Sequence, residues 1–198
     1  MFYVFPQAVK LDICDDIIKD CKENILEEAK VYEFSGGDEQ VLKNDPDTRR
    51  TSINFIKDKN NKANELAWHF LRKANEIHFH YDLKYFQPIQ FAEYRVGDFF
   101  HWHQDASEPD QNNDLRKLSL TLVLSDPDTF EGGELQFYNG EKPFYKNGSK
   151  ITDDKLKSDV SARGSVIVFD SRDWHRILPI TKGVRYSITC WTVGQNFK

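Results

Sequence analysis

His103-Gln104-Asp105, with His175 much further along the chain, supplies two imidazoles and one carboxylate. That donor set holds a non-haem Fe(II) ion while leaving coordination positions open. His103 and Asp105 are two residues apart, so on an extended segment their side chains project to one side. His175 must arrive on a different strand, as it would where two facing sheets close over a metal. His101 also lies two residues from His103 and competes as a ligand on a regular strand; the His103/Asp105 pair is preferred because it keeps the carboxylate. His69, His78 and His80 fall on or just after a predicted helix and are read as structural or solvated.

Downstream, Gly183-Val184-Arg185-Tyr186-Ser187-Ile188-Thr189-Cys190-Trp191 alternates as a strand does. Val184, Tyr186, Ile188 and Cys190 form one face, and Arg185, Ser187, Thr189 and Trp191 the other. An arginine at the mouth of a barrel beside a metal is costly unless an anion meets it. A guanidinium grips a carboxylate through two parallel hydrogen bonds. The expectation is a small carboxylate ligand between Arg185 and the metal.

His103-x-Asp105, His175 and Arg185 ten residues later, with Ser187 two beyond, resemble the Fe(II)- and 2-oxoglutarate-dependent dioxygenases. The run Leu118–Asp128 leading into Glu131-Gly132-Gly133-Glu134-Leu135 is similar to their prolyl/lysyl hydroxylase branch, the prolyl 4-hydroxylases. The resemblance covers about residues 83–193. It implies a double-stranded β-helix (jelly roll), Fe(II) on His103, Asp105 and His175, and 2-oxoglutarate as cosubstrate with O2. It further implies a cosubstrate carboxylate held by Arg185 with Tyr94 or Ser187, and ascorbate to rescue oxidised iron. The reaction it implies is hydroxylation of an aliphatic C–H, that of a prolyl residue in a peptide or protein at ring carbon 4, releasing succinate and CO2. Arg50, in Arg50-Thr51-Ser52, resembles an arginine that some relatives present to substrate, although Arg49 is the alternative aligned residue. The segment from Tyr138 to Gly164 is longer than the family pattern.

Elements must carry these residues. Asp12 reads as an N-cap, with Ile13, Ile17, Ile18, Cys21, Ile25 and Leu26 forming a helical stripe to about Ala29. Ser35–Asp38 reads as a turn, residues 38–48 as a polar loop and Arg50–Ile56 as a strand. A second helix runs from about Lys62 to Phe79, with Leu66, Ala67, Phe70, Leu71, Ala74 and Ile77 inward. Short strands follow at 83–87, 89–96, 99–103, 117–124, 134–138, 165–170, 174–179 and 184–193. This is a mainly β class with supporting helices, one domain over 1–198, helical support at about 1–82 and a jelly-roll core at about 83–193. Gly132 and Gly133 suit a turn with positive φ. The 139–160 stretch is a polar excursion, either a passive loop or a mobile cover for the site.

Composition narrows the function classes. The 198 residues suit one sizeable core. A formal charge of −5, without a Lys/Arg stripe, argues against nucleic acid as partner. Cys14, Cys21 and Cys190 make neither a disulfide framework nor a C-x-x-C site. No apolar run reaches the ~20 residues of a membrane span, and the start lacks a secretory pattern, so a reducing cytoplasm is expected. Tyr94 and Trp191 each have an alternative reading as core aromatics, with Trp191 otherwise a wall for substrate. Two further readings stay open: a jelly-roll module that binds metal or small acids without catalysis, and the same oxidation directed at a lysyl residue, a free amino acid or an alkylated base.

Overall fold

A computed structural model describes residues 2–23, 26–34, 40–43, 45–56, 58, 61–106, 109, 112–138 and 160–195. The Ser35–Asp38 turn and, but for Val160, the 139–160 stretch lie outside the described residues. Among these residues two antiparallel sheets face one another. The larger has the order Phe2–Phe5, Val166–Asp170, Asp114–Val123, Arg185–Gln195, Ile89–Tyr94, Ser52–Ile56 and Glu27–Glu28, with Tyr85–Phe86 also pairing Arg185–Gln195. The smaller has the order Leu135–Phe137, His175–Ile177, Phe99–His103 and Arg49–Arg50. This is the jelly-roll arrangement expected of the strand pattern.

Period-two alternation sorts each central strand of the larger sheet. Leu118, Leu120 and Leu122 share the outer face with Ile188, Cys190, Val166, Val168 and Phe91, where they bury the helices' apolar stripes: Cys14, Ile17 and Cys21 from Leu11–Lys22, and Ala63, Ala67, Phe70, Leu71 and Ala74 from Lys62–Ala74. Each fully buried Leu or Ile there contributes about 1.5–3 kcal/mol. The inner face packs against the smaller sheet through Ile53, Ala92, Tyr94, Val123, Ile167 and Phe169, which meet Leu135, Phe137 and Ile177. The helices therefore stiffen one sheet from behind, and the space between the sheets holds an apolar cluster beside a cavity lined in part by polar residues.

Several boundaries differ from expectation. The first helix spans Leu11–Lys22, with Lys10 at its N-cap, so Asp12 lies inside its first turn. It stops before Ala29 because Glu27–Glu28 pairs with Ser52 and Ile53 at the sheet edge; strand pairing wins over the local helical period. Residues 38–48 are not all loop, since Gln40–Lys43 pairs with Val31–Phe34. Arg49–Arg50 and Ser52–Ile56 belong to different sheets. The N-terminal third thus adds strands to both sheets as well as helical support.

The second helix opens with Asn61 Oδ1 accepting from the Ala63 N–H. After Ala74 it widens into a π-helical turn, Asn75–Phe79, which breaks the 3.6-residue phase. Ile77 is accordingly 45% exposed rather than inward.

Candidate metal centre and anion cavity

His103 ends the Phe99–His103 strand and His175 begins His175–Ile177; the two residues are register partners in the smaller sheet. The pairing slips between them: Ile177 faces Phe100, so three steps on one strand match two on the other. Such a bulge rotates the residues on either side of it. Phe100 and His103 consequently share a face, and their rings stack at 3.5 Å. His101 turns outward and is exposed. The structure therefore separates the two histidines that a regular strand would have aligned.

Asp105 follows on a short loop held by its neighbours. The backbone N–H groups of Asp105 and Ala106 both donate to the Ser171 carbonyl at 2.9 Å. Ser119 Oγ donates to Asp105 Oδ2 at 2.6 Å and lies 2.9 Å from Ser171 Oγ. Ser119 has spent its proton on the carboxylate, so Ser171 is the donor in that second bond.

His103, Asp105 and His175 offer ligand atoms within 4.8 Å of one another. His103 Nε2 is 3.7 Å from Asp105 Oδ1, and His175 Nε2 is 3.6 Å from Oδ2. His103 Nδ1 contacts the His101 carbonyl at 2.7 Å, and His175 Nδ1 the Asp173 carbonyl at 2.9 Å. A carbonyl only accepts, so Nδ1 carries the proton in each ring and Nε2 presents its lone pair to the centre. Burial, then the His175 ring, pushes the His103 pKa down to about 3. Burial would raise that of Asp105, but His175, His103, Arg116 and Ser119 together outweigh it and hold the carboxyl at about 2. A neutral imidazole and an ionised carboxylate are the metal-binding forms. Lone pairs converging without a hydrogen between them fit a cation, and ligands bonded at roughly 2.1 Å lie about 3–4 Å apart. The donor set therefore fits a divalent metal ion.

Arg185, Ser187, Thr189 and Trp191 line the same cavity as the triad, together with Tyr94, Gln90 and Thr121 from neighbouring strands. Arg185 is 4% exposed. Its Nη1 donates to Ser187 Oγ at 3.1 Å, and its guanidinium lies 5.5 Å from the centre of the Tyr94 ring. No carboxylate pairs with it among the described residues. Burial pulls its pKa below the ordinary guanidinium value, which Tyr94 partly offsets. Its stem borders a second cavity of about 120 Å³, mostly apolar, lined by Gly133, Leu135 and Val160 among others. Gly132 and Gly133 have φ of +82° and +70°. A Cβ on Gly133 would collide with Ile180 and come within 3.0 Å of Arg185 Cδ, so the glycine lets the arginine stem pass.

Edge-strand geometry keeps Arg50 out of the cavity. Arg50 is exposed, donates from Nε to the Pro46 carbonyl at 3.0 Å and lies outside the cavity. Arg49 lines it instead, because adjacent residues on an extended strand point to opposite faces. Ser119, Ser171, Gln90 and Phe100 went unassigned in the sequence. For Ser119 a signal was present: it alternates with buried leucines in Leu118–Leu122, so it had to face the site.

The sequence pattern of the 2OG-Fe(II) oxygenase superfamily matches residues 89–193, the span that holds every residue of the centre. A PKHD-type hydroxylase of Shewanella sp. (strain MR-7) is 30% identical over 108 residues, 54% of this chain and 42% of that protein. The chain thus spans about two-fifths of the length of these curated relatives. The crystal structure of a Pseudomonas putida prolyl-4-hydroxylase superposes with a TM-score of 0.69 at 20% identity, covering 98% of this chain and 93% of that one. A Trichoplax adhaerens prolyl hydroxylase, solved with a hypoxia inducible factor peptide fragment, gives 0.68 at 15% identity over 96% and 82%. These two share the fold. With its pattern matched over more than half its length and its two-histidine, one-carboxylate centre beside a buried arginine, this chain belongs to the 2OG-Fe(II) oxygenase superfamily.

Proposed function

We propose that the chain is an Fe(II)- and 2-oxoglutarate-dependent dioxygenase that hydroxylates a prolyl residue of a peptide or protein at ring carbon 4. One observation carries this reading: a triad of converging lone pairs shares a cavity with a buried arginine that lacks a carboxylate partner among the described residues. His103, Asp105 and His175 would hold the iron, which when bound would supply the O2 chemistry that couples decarboxylation of 2-oxoglutarate to succinate and CO2 with insertion of one oxygen into a C–H bond. The protein's part is orientation and exclusion of water. Arg185 grips the far carboxylate of 2-oxoglutarate, with Ser187 bracing its guanidinium and Tyr94 beside it. Phe100, Phe169, Leu135 and Ile177 form apolar walls, which strengthen the charge pairing by keeping water out. Trp191 offers a flat ring for a pyrrolidine to pack on.

The prolyl target is supported by the sequence resemblance around residues 118–135 and by fold neighbours that are prolyl hydroxylases, one solved with a peptide fragment. Ascorbate as a rescuer of oxidised iron belongs to the same reading. Cytoplasmic location is supported by three buried free thiols, Cys14, Cys21 and Cys190; among the described residues no helix is long and apolar enough to cross a membrane.

The test has two stages. Anaerobic addition of Fe(II) and then 2-oxoglutarate should produce a visible charge-transfer band; its absence ends the dioxygenase reading. Peptides with proline at internal and at free C-terminal positions should then gain the mass of one oxygen in step with succinate. Succinate formed without hydroxylated peptide across a broad panel ends the prolyl assignment and leaves the oxygenase class standing.

A further inference from the structure

A second buried arginine faces the metal cavity, at the end away from Arg185. Arg49 is 9% exposed, at the edge of the smaller sheet. It reaches across the sandwich to donate from Nη2 to Gln90 Oε1 at 2.8 Å, and its guanidinium lies 4.5 Å from the centre of the Phe100 ring. The amide and the ring solvate the cation without supplying countercharge. Of its five N–H donors, Nε is buried with no partner. Trp191 Nε1 is the other buried donor without a partner among the described residues, and Trp191 lines the same cavity.

Register puts both at the far end. Arg185 pairs with Tyr94 and Thr189 with Gln90, so the side chain that anchors Arg49 lies four residues, about 13 Å of strand, from the Arg185 end. Trp191 is two residues further on. The five-carbon chain of 2-oxoglutarate spans roughly 5 Å between its carboxylates, which makes one molecule a poor match for both arginines. Charge says the same. Its two carboxylates offset Arg185 and the net charge of a divalent metal with Asp105, which leaves Arg49 unmatched, and a buried unmatched cation is expensive.

We propose that Arg49, with the unpartnered Trp191 Nε1 of the same cavity, forms a second carboxylate subsite that holds the free α-carboxylate of the residue to be hydroxylated. The substrate class is then a prolyl residue at a free C terminus, or the free amino acid, rather than one inside a chain. This rests on the dioxygenase reading, and the experiment keeps the two apart.

Zinc(II)-loaded protein saturated with 2-oxoglutarate does not turn over, so binding is read by calorimetry. It is titrated with a tripeptide ending in proline as the free acid, with the same tripeptide as its C-terminal amide, and with L-proline. The acid should bind at least about tenfold more tightly than the amide. Arg49→Gln should bring the two within about threefold with 2-oxoglutarate affinity unchanged, and Arg49→Lys should keep part of the preference. Trp191→Phe, which removes the N–H together with part of the ring, should weaken the acid more than the amide. Binding of L-proline extends the class to the free amino acid, and its failure confines the class to chain ends; both support the subsite. Equal binding of acid and amide by the wild type overturns it, even if Arg49→Gln fails to fold. So does an Arg49→Gln that weakens 2-oxoglutarate and leaves the acid preference intact, for the arginine then serves the cosubstrate. A wild type that binds zinc but no 2-oxoglutarate sinks the dioxygenase reading itself.

Discussion

Phe100 lies flat on His103, ring centroids 3.5 Å and planes 13° apart, although the two are three residues apart on one strand. Regular pleating would put them on opposite faces. The slip opposite His175 and Ile177 brings them together, and it also decides which histidine of His101/His103 reaches the centre. His101→Ala should leave Fe(II) affinity unchanged within about twofold, while His103→Ala should lower it by more than the roughly 10–100-fold cost of losing a residue hydrogen-bonded to a ligand. Anaerobic Fe(II) titration of both variants checks this; loss of iron in the His101 variant would refute the assignment.

Ser119 touches no metal in this scheme but holds Asp105 by its Oδ2. Ser119→Ala should weaken Fe(II) binding by roughly 10–100-fold with a small change in thermal stability. Ser119→Thr, which keeps a hydroxyl, should recover part of the loss. An alanine variant with wild-type iron affinity would show that the backbone contacts to Ser171 suffice.

Arg185→Ala should reduce affinity for 2-oxoglutarate by about 30-fold or more, since truncating one partner of a buried charge pair costs ~2–5 kcal/mol. Arg185→Lys should lose less, keeping the charge without the fork. Gly133→Ala should weaken 2-oxoglutarate without touching it, through pressure on the Arg185 stem, and should lower the melting temperature through its positive φ. Titration of 2-oxoglutarate at fixed zinc separates these from effects on the metal.

The metal-free protein should lose stability as the pH falls from neutrality. His103 is held at about 3 in the fold against about 6.5 in an unfolded chain, and Asp105 at about 2 against about 3.9. In both cases the unfolded chain binds protons first, so acid favours unfolding. The His103 contribution is full above about pH 6.5 and drains away towards pH 3; that of Asp105 is full above about pH 4 and is lost towards pH 2. Denaturant titrations between pH 7 and pH 4.5 should show the midpoint falling, with a shallower fall in His103→Gln. A midpoint independent of pH would mean that His103 is not held neutral by its surroundings.

Side-chain direction along a strand is a local property, so the inward face Arg185, Ser187, Thr189 and Trp191 and the outward face Ile188 and Cys190 were legible from alternation alone. So was the helix-supported jelly roll, because the leucine-rich strands and the two helical stripes each need a partner face. The grouping of His103, Asp105 and His175 was legible from residue type together with the resemblance to the dioxygenases. What the sequence could not decide was every choice that depends on hydrogen bonds to a distant strand. The slip at Phe100–His103 exists only in register with His175–Ile177. The entry of Arg49 rather than Arg50 into the cavity depends on how a two-residue edge strand pairs with Phe99 and Phe100. The end of the first helix was set by Glu27–Glu28 finding Ser52 and Ile53, and the grip on Asp105 by Ser119 meeting Ser171 in the turn after the neighbouring strand. Periodicity reports which way a side chain points within its own element; only the packed sheets determine which backbone lies opposite, and with it the residues that enter the cavity.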